Sequence, residues 1–480
     1  MQHLSALDAL FLQLETPETP MHVGSLILIE KPKGRRGSFY PALRRHIESR
    51  MHLAPLFSRK VAQMPLSVAN PGWQRVDRVD IDYHIRPVQL AKPGTHRQLE
   101  ACVAKLHSVL LDRDRPLWEF YVIEGLRSGE VGFYSKIHHA ALDGQGGIAL
   151  AQAMLDVEPT PRTVAPAAAR RAALAPSAAK MLGAAFRNTV AQYSRIVRNV
   201  PDALRVVGAM GAGAVGAIAA PAGRSALAAV RALLPKGALL GPRTAFNVAV
   251  KAPRSFVTLR ISLDETKRIA RHFGVTLNDV VMAQVSGGLR HYFGKRVPAK
   301  SMIGAVPASL RAPGDTSQSN QVTMLLIDLA TSVADPVRRL QRIAAASGRA
   351  KAVTGGMKNV IPTDLPSLGL PWLMSLLARL YHTPGIANRI PVLANTVVSN
   401  VPGPQVPLYL AGGKVMSYYP VSIVVHGLAL NVTVQSYNGA LDFGLIACRK
   451  AVPDLAKFAK GVTRAHEELL AQVEMQEAAA

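Results

Sequence analysis

Two adjacent histidines open the stretch of this sequence whose residue types and spacing best suit chemistry: His138-His139-Ala140-Ala141-Leu142-Asp143-Gly144. An imidazole titrates near neutrality, so burial and neighbours can tune it to take a proton from an attacking hydroxyl. Asp143 can hold local geometry through a salt bridge or backbone contacts, and Gly144 allows a sharp turn or a close approach. Paired histidines on a strand are also a common structural pair with satisfied hydrogen bonds, and the dipeptide alone favours that blander reading.

The surrounding pattern places the motif between a strand and a helix, where active-site groups are commonly presented. Phe120 to Gly125 and Val131 to Ile137 are short apolar runs joined by the turn-like Arg127-Ser128-Gly129-Glu130, which predicts a hairpin. A helix over Gly144 to Leu155 follows, and Gly24 to Glu30 reads as an earlier strand. Further on, Phe256 to Ile261, Met302 to Val306, Val322 to Leu329, Thr396 to Ser399 and Val421 to Val425 read as strands. Asp264 is expected to cap one helix and Thr276 a second one, running to about Phe293. Asn431 to Tyr437 and Leu441 to Ala447 flank Asn438-Gly439, a strong hairpin signal.

At 480 residues the chain is too long for one ordinary core, which predicts two domains with connecting material. The composition shifts to Ala, Pro, Gly and Arg from about Thr160 to Arg254. Between Thr160 and Arg260, fifteen Lys and Arg face one acid, Asp202, a net +14 of the formal +25. Such a balance implies an anionic partner. Within this stretch Ser177 to Val200 has helical periodicity. Leu182, Phe186, Val190, Tyr193, Ile196, Val197 and Val200 fall on one face, and Lys180, Arg187, Arg195, Arg198 and, just past Val200, Arg205 on the other. A membrane-surface contact and an inter-domain helix with a solvated basic face both fit it. Charge concentrated in a connector, away from any recognised nucleic-acid motif and with no aromatic residues spaced for base stacking, argues against a nucleic-acid-binding module.

Cys102 and Cys448 have no metal-ligand spacing and read as inert buried thiols. Met1 to Leu14 carries Asp8 and has no Lys or Arg before its apolar residues, the wrong order for a secretory signal. Val206 to Gly223 is uncharged but Ala- and Gly-rich with Pro221, so it does not read as a membrane span. These features predict an intracellular protein.

The whole HHxxxDG pattern resembles the motif shared by CoA-dependent acyltransferases of the chloramphenicol acetyltransferase type. The resemblance extends further. Leu4-Ser5-Ala6-Leu7-Asp8-Ala9-Leu10-Phe11-Leu12, Met21-His22-Val23-Gly24 and Pro116-Leu117-Trp118 are similar to bacterial wax ester synthase/diacylglycerol acyltransferases. So are Asn278-Asp279, Pro307-Ala308-Ser309-Leu310-Arg311 and Ser399-Asn400-Val401-Pro402-Gly403-Pro404, while Leu441-Asp442-Phe443-Gly444 resembles a second-domain signature of the wider superfamily. Two departures stand out: Ala308 where Val is expected, and Leu445-Ile446-Ala447-Cys448 where a more polar ending is expected.

The resemblance implies an α/β (α+β) fold of two chloramphenicol acetyltransferase-like mixed-sheet domains. They would span residues 1–159 and 255–480, joined by a basic helical linker at 160–254. It implies transfer of a long-chain acyl group from acyl-CoA, a cosubstrate rather than a bound cofactor, to diacylglycerol or a fatty alcohol. His139 would be the general base, His138 and Asp143 supporting residues, Gly144 part of the motif, and Asn278 a candidate organiser of the oxyanion. No metal is implied. Pro116, Leu117 and Trp118 would shape packing and the acyl channel, and the apolar Leu365 to Leu380 is a suspected channel lining. The family also implies a cytoplasmic protein, peripheral on the inner face of the plasma membrane or on lipid inclusions. Two alternatives remain: a carrier-protein-dependent condensation-type acyltransferase, which shares the motif and fold, and a catalytically inactive lipid-binding relative.

Overall fold

The computed structural model describes residues 2–64, 70–142, 146–166, 239–309, 322–357 and 391–479, together with 183, 381, 385 and 388. The expected basic helix at 177–200, the apolar 365–380 stretch, and Asp143, Gly144, Leu310 and Arg311 lie outside the described residues.

The first half begins with β1 (Gln2–His3), α1 (Ala6–Leu14), β2 (His22–Glu30), α2 (Tyr40–Arg50), β3 (Arg59–Ala62) and β4 (Gly72–Arg75). It continues with α3 (Ile81–His84), β5 (Ile85–Gln89), α4 (His96–His107), β6 (Trp118–Glu124), β7 (Val131–His138) and α5 (Gly146–Met154). The second half opens with β8 (Arg254–Ser262), α6 (Leu263–His272), α7 (Leu277–Phe293), β9 (Ile303–Ser309), β10 (Val322–Asp328) and α8 (Pro336–Met357). It closes with β11 (Thr396–Val401), β12 (Tyr409–Leu410), β13 (Gly413–Val421), β14 (Leu430–Tyr437), β15 (Ala440–Cys448) and α9 (Leu455–Ala478).

Two six-stranded mixed sheets result, ordered β12-β13-β2-β7-β6-β5 and β10-β9-β11-β14-β15-β8, with a small β1-β4-β3 sheet beside α1. The predicted hairpin is β6–β7, with Trp118 opposite Ile137. The Asn438-Gly439 hairpin is β14–β15. Its two turn residues have φ of 43° and 82°, the left-handed geometry that a two-residue type I′ turn demands. Thr276 caps α7 through a reciprocal box with Asp279. The helix before it starts differently from expectation. Ser262, not Asp264, is its cap, accepting from the Glu265 amide, and Asp264 sits inside the first turn.

The strand expected at Val421 to Val425 is instead β13, which ends at Val421. Beyond it the backbone is held by side chains: the Ser422 carbonyl meets His107 Nε2 at 2.9 Å and the Ile423 carbonyl accepts from Asn431 Nδ2 at 3.0 Å. β12 and β13 come from the second half of the chain yet complete the first sheet, with Val421 opposite Gly24 and Lys414 opposite Glu30. One core packs the first sheet on α2 and α5, and a second packs the other sheet on α6, α7 and α9. A third, built from Leu26, Leu99, Tyr134, Phe256, Tyr419 and Ile446, fills the seam between the halves.

The seam explains the Leu441 to Gly444 signature. Asp442 is buried, and its Oδ2 accepts the Tyr418 amide of β13 at 2.7 Å, with Arg260 Nε 3.4 Å from Oδ1. Burial raises its carboxyl to about pKa 6 against the pull of those partners. A Cβ on Gly444 would lie 1.6 Å from the Pro420 carbonyl oxygen, so only glycine lets β15 approach β13 this closely. Asp442 and Gly444 therefore join the crossover strand to the second sheet. Ser399 to Val401 end β11, and Pro402 to Pro404 form a loop held by structural contacts: the Gly403 amide donates to Ser436 Oγ at 2.9 Å, and the Pro404 carbonyl accepts from the Asn438 amide.

Candidate active site

β7 is buried along its whole length and delivers His138 and His139 to the edge of the core. Its end is held on both sides. The His138 amide donates to the Leu117 carbonyl at 3.0 Å, and the His139 amide to the Met21 carbonyl at 2.8 Å. Leu117 belongs to the Pro116-Leu117-Trp118 segment. Trp118 is fully buried, stacks on His84 with centroids 4.3 Å apart, and donates its indole N–H to the Phe57 carbonyl at 3.2 Å. This segment therefore anchors the strand end by packing.

The chain then makes one 3-10 turn over His139–Ala141. His138 caps it: the Ala140 amide donates to His138 Nδ1 at 3.1 Å. The His138 ring is fully buried and its Nε2 lies 3.3 Å from Glu15 Oε1. Glu15 in turn receives Nε and Nη2 of Arg113 on Oε2 at 3.1 and 2.8 Å, and the Met21 amide on Oε1 at 3.2 Å. Burial raises the Glu15 pKa, but His138 and Arg113 outweigh it and hold the carboxyl below its ordinary value.

The His139 ring stacks on Phe11 of α1, with centroids 4.0 Å apart and planes 22° from parallel. Its Nδ1 is buried and has no hydrogen-bond partner among the described residues. Burial pushes its pKa down to about 4, and the neighbouring His138 pushes the same way. At neutral pH the imidazole is uncharged and holds a lone pair for an incoming proton. That is the protonation state a general base requires.

Beneath the motif lies a buried polar layer. His22 is directly opposite His138 across β2 and β7, and its Nε2 meets the His107 carbonyl at 2.7 Å. His107 Nδ1 meets Tyr134 Oη at 2.7 Å. Burial, reinforced by the cation of Lys136, lowers the His107 pKa to about 3. Lys136 is itself fully buried, with Nζ 3.1 Å from Glu119 Oε2; Arg86 and Tyr121 also bind that carboxylate.

The structure thus brings His138 and His139 together at one strand end. Asn278 sits half-buried in the first turn of α7, and no hydrogen bond joins it to either histidine. Sequence reading missed Glu15 and Arg113, and it marked Phe11 only within the Leu4–Leu12 block without placing it at the site. A signal existed for Glu15, a carboxylate directly after an apolar helix and shortly before Met21-His22. Arg113 and Phe11 are brought in by contacts that no local pattern encodes. Cys102 is half-buried and Cys448 buried, both free thiols. Among the described residues, no three His, Cys, Asp or Glu side chains group as metal ligands, and no helix is long and apolar enough to cross a membrane.

A family model described as the wax ester synthase/diacylglycerol acyltransferase catalytic domain matches residues 4–281, and one described as the WS/DGAT C-terminal domain matches residues 318–470. The chain belongs to the wax ester synthase/diacylglycerol acyltransferase family. Two relatives from Mycobacterium tuberculosis H37Rv, both named as diacylglycerol O-acyltransferases, are each 35% identical to it. One, Rv3740c, aligns over 97% of this chain and 99% of its own length; the other, tgs2, over 94% of each. Among solved structures, the wax ester synthase/diacylglycerol acyltransferase from Marinobacter aquaeolei VT8 superposes with a TM-score of 0.69 at 26% identity, covering 98% of this chain and 100% of that one. The first condensation domain of the calcium-dependent antibiotic synthetase shares the fold, with a TM-score of 0.55 at 13% identity over 98% of this chain and 97% of that one. The two mixed sheets are thus the wax ester synthase/diacylglycerol acyltransferase architecture.

Proposed function

We propose that this family member transfers a long-chain acyl group from acyl-CoA to the hydroxyl of diacylglycerol or a fatty alcohol, with His139 as general base. The observation that carries the reading is the state of His139: an uncharged imidazole stacked on Phe11, on a backbone whose amide is held by the Met21 carbonyl at the end of a buried strand. The acceptor oxygen attacks the thioester carbonyl carbon while His139 Nε2 takes its proton, because an alcohol is a poor nucleophile unless that proton leaves in the transition state. The tetrahedral oxyanion then reforms the carbonyl and breaks the carbon–sulfur bond. The imidazolium returns its proton to the departing CoA thiolate, and the ester is released.

No covalent enzyme intermediate and no resident cofactor is needed; acyl-CoA is a cosubstrate. Asn278 is the proposed oxyanion organiser, and Asp143 and Gly144 shape the motif. His138 supports the turn. The acceptors are insoluble in water, and the net charge of +25 favours an anionic surface, which together support a peripheral site on membrane or lipid inclusions.

Incubation of the purified chain with radiolabelled palmitoyl-CoA and either hexadecanol or dioleoylglycerol, beside His139→Ala, tests the reading. Ester formed by the parent and lost in the variant is expected. Folded parent that forms no ester with either acceptor on lipid vesicles would overturn it.

A further inference from the structure

Glu15 stands in a place where a carboxylate is costly. It follows α1 directly, and only 1% of its side chain is exposed. Burial of this kind persists only with partners, and Glu15 has three: Arg113, the Met21 amide and the His138 ring. Through Met21 it reaches the other histidine as well, because the Met21 carbonyl holds the His139 amide. Arg113 adds a further tie. Its Nη2 donates to the Leu12 carbonyl at 2.6 Å, one residue from the Phe11 ring that covers His139.

The protonation of His138 follows from its two neighbours. Nδ1 accepts the Ala140 N–H, so the lone pair is on Nδ1 and that nitrogen carries no proton. The ring proton is then on Nε2, 3.3 Å from a carboxylate oxygen, a contact that is electrostatic rather than a full hydrogen bond. The opposite tautomer would set N–H against N–H at Ala140 and a lone pair against Glu15, two repulsions at once.

We infer that Glu15, clamped by Arg113, is a positioning residue for acyl transfer: it keeps the His138 proton on Nε2, and so keeps the cap of the turn that presents His139. The inference rests on the reading of His139 as the base. Without the carboxylate both His138 tautomers become accessible, the Ala140 cap is lost part of the time, and His139 shifts. A misplacement of about 1 Å can cost on the order of 100-fold in rate.

The test uses the full chain labelled with ¹⁵N-histidine, with the His138 resonances assigned by their loss in His138→Asn. Imidazole nitrogen shifts of the folded chain are expected to show a lone pair on His138 Nδ1 and a proton on its Nε2. In parallel, Glu15→Ala should lower kcat roughly 10- to 100-fold with KM for palmitoyl-CoA unchanged. Glu15→Gln keeps an acceptor oxygen facing His138 but loses the ion pair. It should therefore lower Tm while retaining the Nε2–H tautomer and most of kcat. A His138 proton on Nδ1 in the parent, or parental kcat in Glu15→Ala, would overturn the inference. So would equal losses of kcat and Tm in the two variants, which mark a purely structural ion pair. The tautomer is read without turnover, so a parent that makes no ester would sink the acyl-transfer reading on separate grounds.

Discussion

Phe11 lies flat against His139, with ring centroids 4.0 Å apart and planes 22° from parallel, so one face of the base is shut off from water by the first helix of the chain. Desolvation is the main cause of the low His139 pKa of about 4. A base with that pKa is uncharged throughout the neutral range and becomes protonated only as the pH falls towards 4. We therefore expect kcat/KM to be flat from about pH 6 to 8 and to decline only on its acid side. Phe11→Ala admits water to the ring and should move the acid limb upward, towards the ordinary histidine value of about 6.5. A pH–rate profile of the two proteins checks this; an unmoved limb would show that Phe11 is not the cover that matters.

Removing the imidazole should be far more costly than uncovering it. His139→Ala is expected to reduce kcat by roughly 10²- to 10⁴-fold, the usual contribution of a positioned base. The amide of residue 139 still reaches the Met21 carbonyl in this variant, so its circular dichroism and Tm should stay close to the parent's.

The position of the histidines was legible in the sequence because apolar runs on either side of Arg127-Ser128-Gly129-Glu130 define a hairpin, and His138 terminates its second strand. Asn438-Gly439 and Thr276 were legible for the same local reason: a left-handed turn and a helix cap each demand a few residue types. What supports the histidines was not. Glu15 and Arg113 are 98 positions apart and meet only in the folded molecule. The assignment of β13 to the first sheet was also hidden. Periodicity can mark a strand but does not say which neighbour it pairs with. The buried Lys136–Glu119 pair was within reach, since the hairpin register alone sets these two opposite each other.

Acid should weaken the fold through its buried imidazoles. His107 and His139 have folded pKa values of about 3 and 4, and that of His22 is also well below ordinary. Unfolded, each binds its proton near pH 6.5, so below that pH the unfolded chain holds more protons than the folded one. Their stabilising contribution is complete above about pH 6.5 and is lost as the pH falls towards the folded values. The urea midpoint should accordingly be lower at about pH 5 than at 7.5. Replacing His107 by Asn should flatten that dependence, and an unchanged slope would count against the assignment.

Gly444→Ala should separate the crossover strand from the second sheet, because the added methyl meets backbone rather than a movable side chain. Overpacking of this kind costs about 1–3 kcal/mol or more. Thermal unfolding would register it, with loss of activity following loss of structure rather than preceding it.

Trp118→Ala removes a fully buried indole and should cost about 3–5 kcal/mol. Trp118→Phe retains most of the buried ring. We expect it to recover most of the stability and turnover, which would identify the segment as packing; a kcat loss at parental Tm would point to contact with the acyl chain instead.

The strand loan from the second half also governs how the protein can be made. β2 has β7 on one side and β13 on the other, so until residues 413–421 leave the ribosome one flank of His22–Glu30 has no partner. Its Leu26, Ile27, Leu28 and Ile29 would meanwhile sit on an open edge, the kind of surface that recruits other chains. An amino-terminal fragment ending at the linker should therefore precipitate or bind chaperones when expressed alone, and become soluble when the carboxy-terminal fragment is co-produced. For this architecture the gene cannot be divided where the composition changes without dividing a sheet.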